Sequence, residues 1–307
     1  MDAKVTVKGY AKINLGLDVI GKLDNGYHLL RSVMQQIDLY DTVELSHLPE
    51  RMENKDTYHA LTEEALTDNG LQIVLTSDSD AVPLDQSNLA YKAAKLLMEH
   101  DSIREGVHIH IIKKIPVAAG LAGGSTDAAA VLMGMNELFG LGHSKDELQE
   151  LGVKLGADVP FCIMGGSALA EGIGEKLTPI EKMPEMYIVI VKPSIGVSTK
   201  YVYENLRLEQ VIHPDTEQIL AAMQRKDLEE MTELLGNVLE SVTIEKYPLI
   251  RELKDAMLET GAVGSLMSGS GPTVFGVFDT MENAVEAEKR MRQKYPQVFI
   301  QAAGIIR

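Results

Sequence analysis

The chain has 307 residues, of which 45% are hydrophobic, enough for a large core and more typical of two domains than of one. Its formal charge of −16 argues against a protein that binds nucleic acid or anionic membranes, because such proteins displace counterions with clustered Lys and Arg. The charge does not exclude a small anionic ligand in a locally basic pocket.

The single cysteine, Cys162, lies in the apolar run VPFCIMGG and is predicted to be a buried structural thiol. One cysteine cannot form an internal disulfide, which fits a reducing compartment. The first residues lack the basic and apolar regions of a signal peptide, and no apolar stretch has the length of a membrane span. We therefore expect a soluble cytoplasmic protein.

The first third of the chain is predicted to form strands. KVTVKGYAKINLGLDVIG and DTVELSHL alternate polar and apolar residues, LDNGYHLL contains a turn, and LQIVLTSD is a further strand. Residues 50–70 are polar and irregular and predict a long loop. NLAYKAAKLLMEH has helical spacing, and GVHIHIIKKIP predicts a strand with Val107, Ile109 and Ile111 on one face.

A glycine-rich loop follows this strand and opens a helix that we expect to end at Phe139, with Gly140 as C-cap. Ser144 and Glu147 predict a capping box for the helix KDELQELGVKL, ended by Gly156. FCIMGG, SALAEGIG and MYIVIVKP have strand-like patterns.

The last third predicts helices over 199–206 and 216–239 and after Pro248 as far as about Gly261. The strand pair in AVGSLMSGSGPTVFGVF, a helix over 281–294 and the strand VFIQAAG follow. Strand, helix, two strands, helix and strand is the order of a ferredoxin-like split β-α-β unit. We place the domain boundary near residue 165, giving domains 1–165 and 166–307.

The glycine loop is the strongest functional signal. In GLAGGSTD, Gly120, Gly123 and Gly124 leave the backbone accessible where a helix begins, and helix N-termini bind phosphate through free N–H groups and the dipole. The alternative is a tight turn whose glycines serve only conformation and packing. The Walker pattern G-x-x-x-x-G-K-[ST] and the Rossmann pattern G-x-G-x-x-G are both absent.

PVAAGLAGGSTDAA resembles the phosphate-binding motif of the GHMP kinases, and YAKINLGL and LMSGSGPTVFGVF match the family's other two motifs in the same order. The resemblance covers nearly the whole chain. It implies an α+β, two-domain GHMP kinase fold with an S5-domain-2-like N-terminal domain, a ferredoxin-like C-terminal domain and a substrate site at the cleft between them. NGYH and LGADVP resemble the branch that phosphorylates the 2-hydroxyl of a cytidine-diphosphate-linked methylerythritol in non-mevalonate isoprenoid biosynthesis.

The resemblance also implies roles for individual residues. Lys12 and Asp158 match the catalytic pair, in which the aspartate either accepts the proton of the attacking hydroxyl or only orients it. ATP and Mg²⁺ are implied, with Ser125 or Thr126 as candidate metal ligands. The matching ATP-binding loop comprises Pro116, Val117, Ala118, Ala119, Gly120, Leu121, Ala122, Gly123, Gly124, Ser125 and Thr126.

For the substrate, the resemblance implies cytidine contacts from Tyr27 and His28 and places Asn14, on the strand face of Lys12, at the erythritol end. Thr199 and Tyr203 match positions that close over cytidine, with Tyr201 the alternative if the register slips by one. Gly269, Ser270 and Gly271 are expected to form a supporting loop rather than a catalytic one.

Other interpretations stay open on the sequence alone. His108 and His110 share a strand face, but with Lys113 and Lys114 following they indicate a solvated face rather than a metal site. Another small-alcohol kinase of homoserine or mevalonate type lacks a need for a cytidine platform, and a non-catalytic regulator should have lost Lys12 or Asp158. An RNA-binding module is disfavoured by the acidic balance. We expect a monomer or a weak homodimer that binds a small molecule, with no nucleic-acid or membrane partner.

Overall fold

A computed structural model describes residues 4–23, 26–48, 66–68 and 71–307. The chain forms two compact units, and each is made of segments that are distant in sequence. Unit 1 comprises Met1–Tyr10, Tyr40–Val117 and Ala122–Met164, and unit 2 comprises Ala11–Leu39, Ala118–Leu121 and Gly165–Arg307. Most of the predicted 50–70 loop, and Asp24 and Asn25 of the predicted turn, lie outside the described residues.

Two long strands open the chain and contribute residues to both units. They are β1, Lys4–Lys22, and β2, His28–His47. The first agrees with its prediction, whereas the second begins well before the predicted DTVELSHL. Residues 32–37, in the middle of β2, are all buried and so lack the alternation that marks its second half. The N–H of Leu23 donates to the carbonyl of Tyr27 at 2.8 Å, which closes the connection between the strands.

Unit 1 is a sheet covered by helices. β3, Leu66–Asp68, pairs with β4, Leu71–Ser77, which runs parallel to β5, Val107–Ile112. β5 pairs antiparallel with the second half of β2. Val107, Ile109 and Ile111 are fully buried, as their spacing predicted. The helices are α1, Leu89–His100; α2, Gly123–Leu138; α3, Lys145–Val153; and α4, Val159–Met164.

The helix ends of unit 1 follow local chemistry. The side chain of Asn88 accepts from the N–H of Ala90 and caps α1, and the predicted capping box between Ser144 and Glu147 is formed. Gly140 has φ 61° just after α2, the left-handed conformation expected there. α3 ends at Val153, three residues before the predicted stop.

The prediction of a strand at FCIMGG is wrong, because residues 159–164 form α4. Phe161 and Cys162 are buried, so the thiol is structural in its packing, as expected. A fully apolar run has the same composition in a buried strand and in a buried helix, so periodicity alone cannot separate them. The carbonyl of Asp158 accepts the N–H of Cys162 at 3.1 Å and starts the helix.

Unit 2 contains the ferredoxin-like sheet. Its strands are β8, Tyr187–Lys192; β10, Gly264–Met267; β11, Val274–Phe278; and β12, Phe299–Gly304. They are antiparallel in the order β10-β11-β8-β12, the order of the predicted split β-α-β unit. The same unit holds β6, Ser167–Gly172, on the first half of β2, with β7, Lys176–Pro179, beside it, and β9, Gly236–Asn237, parallel to β1.

The helices Leu249–Glu259 and Met281–Lys294 pack on this sheet through apolar faces. Ile250, Leu253 and Met257 lie on one side of their helix and are fully buried, each worth roughly 1.5–3 kcal/mol of burial. The helices of unit 2 are α5, Thr199–Asn205; α6, Thr216–Arg225; α7, Leu228–Glu233; α8, Glu240–Lys246; α9, Leu249–Glu259; and α10, Met281–Lys294.

The prediction of one helix over 216–239 is wrong. Lys226 adopts φ 59° and ends α6, and the side chain of Asp227 accepts the N–H of Glu230 and caps α7. A left-handed residue followed by an N-cap interrupts the helical hydrogen bonds even where the apolar spacing continues. Among the helices of the described residues, none is long and apolar enough to cross a membrane.

Candidate functional site

The loop between β5 and α2 has three residues in the left-handed region at alternate positions. The φ angles are 52° at Ala118, 75° at Gly120 and 60° at Ala122. Left-handed residues that alternate with right-handed ones turn successive backbone N–H groups toward one side and form an anion-binding concavity. An alanine in this region costs roughly 1–2 kcal/mol, so the surrounding structure must impose the shape of the loop.

The first turn of α2 lacks a side-chain cap. Ala122 precedes the helix and has no side-chain acceptor, whereas Asn88 and Ser144 cap α1 and α3. The N–H groups of Gly123 and Gly124 therefore keep their capacity to bind a ligand at the positive end of the helix dipole. Gly124 is exposed and has no side chain to block access. This is a suitable site for a phosphate group.

Gly120 lies against the loop that joins β10 and β11. A Cβ at Gly120 would lie 2.4 Å from the carbonyl oxygen of Ser268 and 3.0 Å from that of Gly271. The hydroxyl of Ser268 donates to the carbonyl of Gly120 at 3.0 Å, and the carbonyl of Leu121 accepts the N–H of Lys12 at 3.1 Å. Glycine is therefore required at 120 by space as well as by conformation.

The two hydroxyls after the glycines have different environments. Thr126 is fully buried and its hydroxyl donates to the carbonyl of Tyr10 at 2.6 Å. Ser125 is partly exposed. A Cβ at Gly156 would lie 3.9 Å from the hydroxyl oxygen of Ser125, so the turn that contains residues 156–158 lies beside it. Of the two, Ser125 is the better placed for a ligand.

A buried ionic cluster lies beneath the loop in unit 1. Lys113 Nζ bonds both Asp41 Oδ2 and Asp127 Oδ2 at 2.5 Å, and all three side chains are at most 7% exposed. Asp41 Oδ1 also accepts the N–H groups of Lys114 and Ile115 at 2.6 and 2.8 Å. Asp41 thus holds the start of the loop, while Lys113 connects it to the first turn of α2 through Asp127.

One ammonium between two carboxylates leaves this cluster with an excess of negative charge. Burial raises the pKa of Asp127 to about 7; the charge of Lys113 acts against that shift and the charge of Asp41 adds to it. The two carboxylates also raise the pKa of Lys113 against the effect of its burial. Asp127 Oδ1 is buried with no hydrogen-bond partner among the described residues, which agrees with a carboxyl group that is easily protonated.

Lys12 and Asn14 lie on one face of β1 in unit 2 and are 5% and 1% exposed. Lys12 Nζ donates to Asn14 Oδ1 at 2.8 Å, and Asn14 Nδ2 donates to the hydroxyl of Ser32 at 2.8 Å. Ser32 in turn donates to the carbonyl of Gly16 at 2.7 Å. This chain of bonds fixes the orientation of the Asn14 amide and holds the ammonium of Lys12 in a defined position.

The loop 269–271 connects several of the predicted residues in unit 2. The hydroxyls of Thr199 and Ser270 are 2.8 Å apart, and a Cβ at Gly269 would lie 3.8 Å from Asn14 Oδ1. Asn237 Nδ2 donates to the carbonyl of Gly269 at 2.8 Å and holds the loop from the other side. The structure therefore brings Asn14, Thr199 and the 269–271 loop close together.

Two of the predicted cytidine residues form a ring pair. The rings of His28 and Tyr203 have centroids 4.9 Å apart and an interplanar angle of 32°. Burial, and then the charge of Lys22, lowers the pKa of His28, so its imidazole is neutral near pH 7. Tyr27 is 58% exposed. The alternative residue, Tyr201, instead lies under the ammonium of Lys246, 3.3 Å from its ring centroid.

Tyr201 also lines a cavity of about 800 Å³ in unit 2. Its lining comes from α5, the segment that follows it and α8, and includes Arg207, Glu245 and Lys246. The lining contains none of the predicted catalytic or loop residues. The presence of this large cavity therefore does not identify the candidate site. The residues of that site are identified by their hydrogen bonds and backbone geometry.

Asp158 is partly buried and stands immediately before α4 in unit 1, in the turn beside Ser125. Sequence reasoning proposed Asp158 and the glycine loop as site residues but missed the cluster of Asp41, Lys113 and Asp127. It placed His108 and His110, followed by Lys113 and Lys114, on a solvated strand face. Both histidines are partly buried, and the side chain of Lys113 is only 7% exposed. The preceding pair of histidines bonds the hydroxyl of Thr76, with His108 Nε2 at 3.0 Å and His110 Nδ1 at 2.8 Å.

Comparison with known proteins agrees with this geometry. Residues 88–166 match the GHMP kinases N terminal domain, and residues 219–297 match the GHMP kinases C terminal domain. The chain is 48% identical over 295 residues to the 4-diphosphocytidyl-2-C-methyl-D-erythritol kinase of Clostridium botulinum strain Alaska E43 / Type E3, covering 96% of this chain and 98% of that protein.

Solved structures show the same fold. A crystal structure of 4-(cytidine 5'-diphospho)-2C-methyl-D-erythritol kinase has a TM-score of 0.78 and 30% identity, with 98% of each chain covered. A homoserine kinase from Cytophaga hutchinsonii has a TM-score of 0.76 at 18% identity, with 99% of this chain and 94% of that chain covered, and so supports the fold alone. The α+β architecture, the matching domains and the full-length identity together show that the chain is a member of the GHMP kinase family, within its 4-diphosphocytidyl-2-C-methyl-D-erythritol kinase branch.

Proposed function

We propose that the protein transfers the γ-phosphoryl group of ATP to the 2-hydroxyl of 4-(cytidine 5'-diphospho)-2-C-methyl-D-erythritol. The observation that carries the phosphate half of this proposal is the uncapped first turn of α2 behind a loop with alternate left-handed residues. The substrate half is supported by the substrate named for the related enzymes and by the ring pair of His28 and Tyr203.

The loop 116–126 would bind the ATP phosphates through backbone N–H groups rather than through a lysine side chain. Phosphoryl transfer asks a protein mainly for positioning and for neutralisation of charge, which preorganised N–H groups supply without reorganisation. The fixed shape of the loop, imposed at Gly120 by contacts with Ser268 and Gly271, suits this task.

Lys12 and Asp158 are the proposed catalytic residues. Asp158 would orient the 2-hydroxyl and take up its proton as the new O–P bond forms and ADP leaves. Lys12 would stabilise the charge on the transferring group from a position held by Asn14. Burial of Lys12 at 5% exposure supports a functional role, since a surface strand lysine would be solvated.

The cytidine would lie on the aromatic side chains. The base can stack on Tyr27 or against the pair of His28 and Tyr203, and the neutral imidazole of His28 can both donate and accept at the edge of the base. Asn14 and Thr199 would bond hydroxyl or phosphate oxygens of the substrate. Thr199 already shares a hydroxyl contact with Ser270 of the 269–271 loop, and Asn14 Oδ1 lies close to Gly269.

Mg²⁺ would accompany ATP and neutralise charge on its β- and γ-phosphates. The hydroxyl of Ser125 is the donor in this loop that fits a metal ligand, because Thr126 is fully buried and bonded to Tyr10. Ser125→Ala should therefore lower kcat and raise the Mg²⁺ requirement with little change in stability. Thr126→Val should instead lower stability by about 1–2 kcal/mol, the cost of an unpaired buried carbonyl. We also expect a monomer or weak homodimer in the cytoplasm, which sedimentation and cell fractionation would test.

The test of the function is an ADP-release assay with ATP and Mg²⁺, in which the cytidine-diphosphate methylerythritol, homoserine and mevalonate are offered in parallel. We expect turnover with the cytidine substrate alone and loss of kcat by about 10²-fold or more in Asp158→Asn and Lys12→Met. Lys154→Met, an exposed position before the same turn, is the control. Turnover with another alcohol would contradict the cytidine site, and ATP binding without any turnover would favour a regulator.

A further inference from the structure

Two histidines and an aspartate meet at the end of α1, outside the residues assigned to the kinase reaction. His100 is the last residue of α1, Asp101 is its C-cap, and His143 immediately precedes the capping residue of α3. His143 Nε2 lies 3.0 and 2.9 Å from the two carboxylate oxygens of Asp101. His100 Nδ1 lies 3.2 Å from Asp101 Oδ2, and the three ligand atoms are all within 4.8 Å of one another.

The backbone around this cluster is held in place. The side-chain amide of Asn136 accepts the N–H of His143 and donates to its carbonyl, both at 2.9 Å. The N–H of Asp101 donates to the carbonyl of Leu97 at 3.0 Å, so the carboxylate extends from a closed helix end. Two ligand positions are thus fixed before any ion binds, which lowers the entropic cost of assembling a site.

The donor set has a clear chemical preference. Two imidazole nitrogens and one carboxylate are typical ligands of Zn²⁺ and similar divalent transition metals, with water as the fourth ligand. Mg²⁺ and Ca²⁺ prefer oxygen ligands and larger coordination numbers. With metal–ligand bonds of about 2.0–2.1 Å, ligands of a tetrahedral ion lie about 3.3 Å apart. The distances of 2.9 and 3.2 Å from Asp101 Oδ2 to the two imidazole nitrogens are close to this value.

Metal binding would use His100 Nδ1 and His143 Nε2, the two imidazole nitrogens that are hydrogen-bonded to Asp101. A neutral imidazole can carry its single proton on the other ring nitrogen, which frees the lone pair that faces the carboxylate. The ion replaces two hydrogen bonds, and no oxidation or other reactant is involved.

We propose that His100, Asp101 and His143 form a binding site for one divalent transition-metal ion of the Zn²⁺ class, which links the end of α1 to the start of α3. The site is separate from the metal that accompanies ATP. It lies beyond the C-terminal end of α2, whose 16 residues span about 24 Å from the phosphate-binding first turn. Occupancy is expected to stabilise unit 1 rather than to take part in phosphoryl transfer.

The chain supplies a matched control in its second histidine pair. His108 and His110 are two residues apart on β5, but the group between them is the hydroxyl of Thr76. The nearby carboxylate of Glu44 is paired with Lys4 at 2.9 Å. Replacing His108 by alanine therefore removes a partly buried imidazole without removing a ligand of the proposed site.

The experiment is equilibrium dialysis of the full, tag-free chain against ZnCl₂ in 10-fold excess Mg²⁺, followed by Co²⁺ absorption spectra. We expect one Zn²⁺ per chain and a visible Co²⁺ band in the wild type and in His108→Ala. In His143→Ala and Asp101→Asn, the affinity should fall at least about tenfold and the band should disappear. Zn²⁺ should also raise the melting temperature of the wild type but not of Asp101→Asn, which keeps a hydrogen-bonding side chain of the same shape.

Unchanged Zn²⁺ stoichiometry in both His143→Ala and Asp101→Asn would overturn the proposal, as would equal loss in His108→Ala. Absence of stoichiometric binding by the wild type would overturn it too. Circular dichroism of each variant identifies a failure to fold, and Asp101→Asn then decides, because it removes the charge and leaves the size unchanged. Kinase activity with Mg²⁺-ATP should stay within about twofold in all three variants.

Discussion

Replacement of Lys113 by Met tests whether the buried cluster of Asp41, Lys113 and Asp127 supports the proposed phosphate-binding loop. The substitution keeps the length and apolar stem of the side chain but removes the charge that pairs with Asp41 and Asp127 at 2.5 Å. Removing one partner of a buried ion pair leaves uncompensated charge and typically costs about 3–5 kcal/mol. We expect a loss in the free energy of unfolding of this size at pH 8.

The pH dependence distinguishes this mechanism from a simple loss of packing. The folded pKa of Asp127, about 7, is above its unfolded value of 3.8, so the folded chain binds more protons between these values. The resulting contribution to the free energy of unfolding is fully present below about pH 4 and is lost as pH rises through 7. The size of this loss is about 4 kcal/mol. Without the ammonium of Lys113 the pKa of Asp127 rises further. The loss caused by Lys113→Met should therefore be smaller at pH 5.5, where Asp127 is protonated in both proteins.

The assay is urea unfolding at pH 5.5 and pH 8, followed by far-ultraviolet circular dichroism because the chain has no tryptophan. Lys114→Met, at the exposed neighbouring position, is the control and should change stability by less than about 0.5 kcal/mol. Asp127→Asn should flatten the decline in stability between pH 4 and 7. Equal losses for Lys113→Met at the two pH values, or a loss below about 1 kcal/mol, would refute the reasoning.

Two further substitutions test separate features. Gly120→Ala would place a Cβ 2.4 Å from the carbonyl oxygen of Ser268 at φ 75°, so we expect the KM for ATP to rise at least about tenfold. The control is Gly140→Ala, which has a similar φ of 61° but open space around it; it should cost only about 1 kcal/mol of stability and leave the KM for ATP unchanged. An equal rise in KM for both variants would contradict this reasoning. The pKa of His213 is raised by its bond to Asp18, so its contribution to stability is present below pH 6.5 and is lost as pH rises through the folded pKa. The melting temperature of the wild type should therefore fall between pH 6 and 8, and that of His213→Gln should lack this part of the fall. An unchanged pH dependence in His213→Gln would assign it to other groups.

Local chemistry was predictable from the sequence because its partners are close in the chain. The capping box of Ser144 and Glu147, the alternating burial of β5 and the left-handed Gly140 depend on residues within a few positions. The two wrong elements also have physical causes. The apolar run at 159–164 has no periodicity to interpret. The break at Lys226 depends on one left-handed backbone angle, which the type of residue does not reveal.

The long-range parts of the site could not be predicted in the same way. Asp41 and Lys113 are 72 residues apart, and nothing in the local pattern marks Lys113 as buried rather than solvated. The contact of Thr199 with Ser270, and that of His28 with Tyr203, likewise depend on the fold of unit 2. Resemblance to a family supplied the last four of these residues as candidates, but not Asp41 or Lys113. Only the structure shows which residues each one contacts.

The division between recognisable and hidden residues follows from the phosphate-binding role that we propose for the loop. A phosphate site of this kind is made of backbone N–H groups, so its motif consists of residues that have little or no side chain. Such a loop cannot hold three left-handed residues by itself, since each alanine among them costs free energy. The shape must come from neighbours, here Ser268 against Gly120 in unit 2 and Lys113 beneath the first turn of α2 in unit 1. A variant can therefore keep the whole motif and still lose ATP binding, if it loses one of these distant supports.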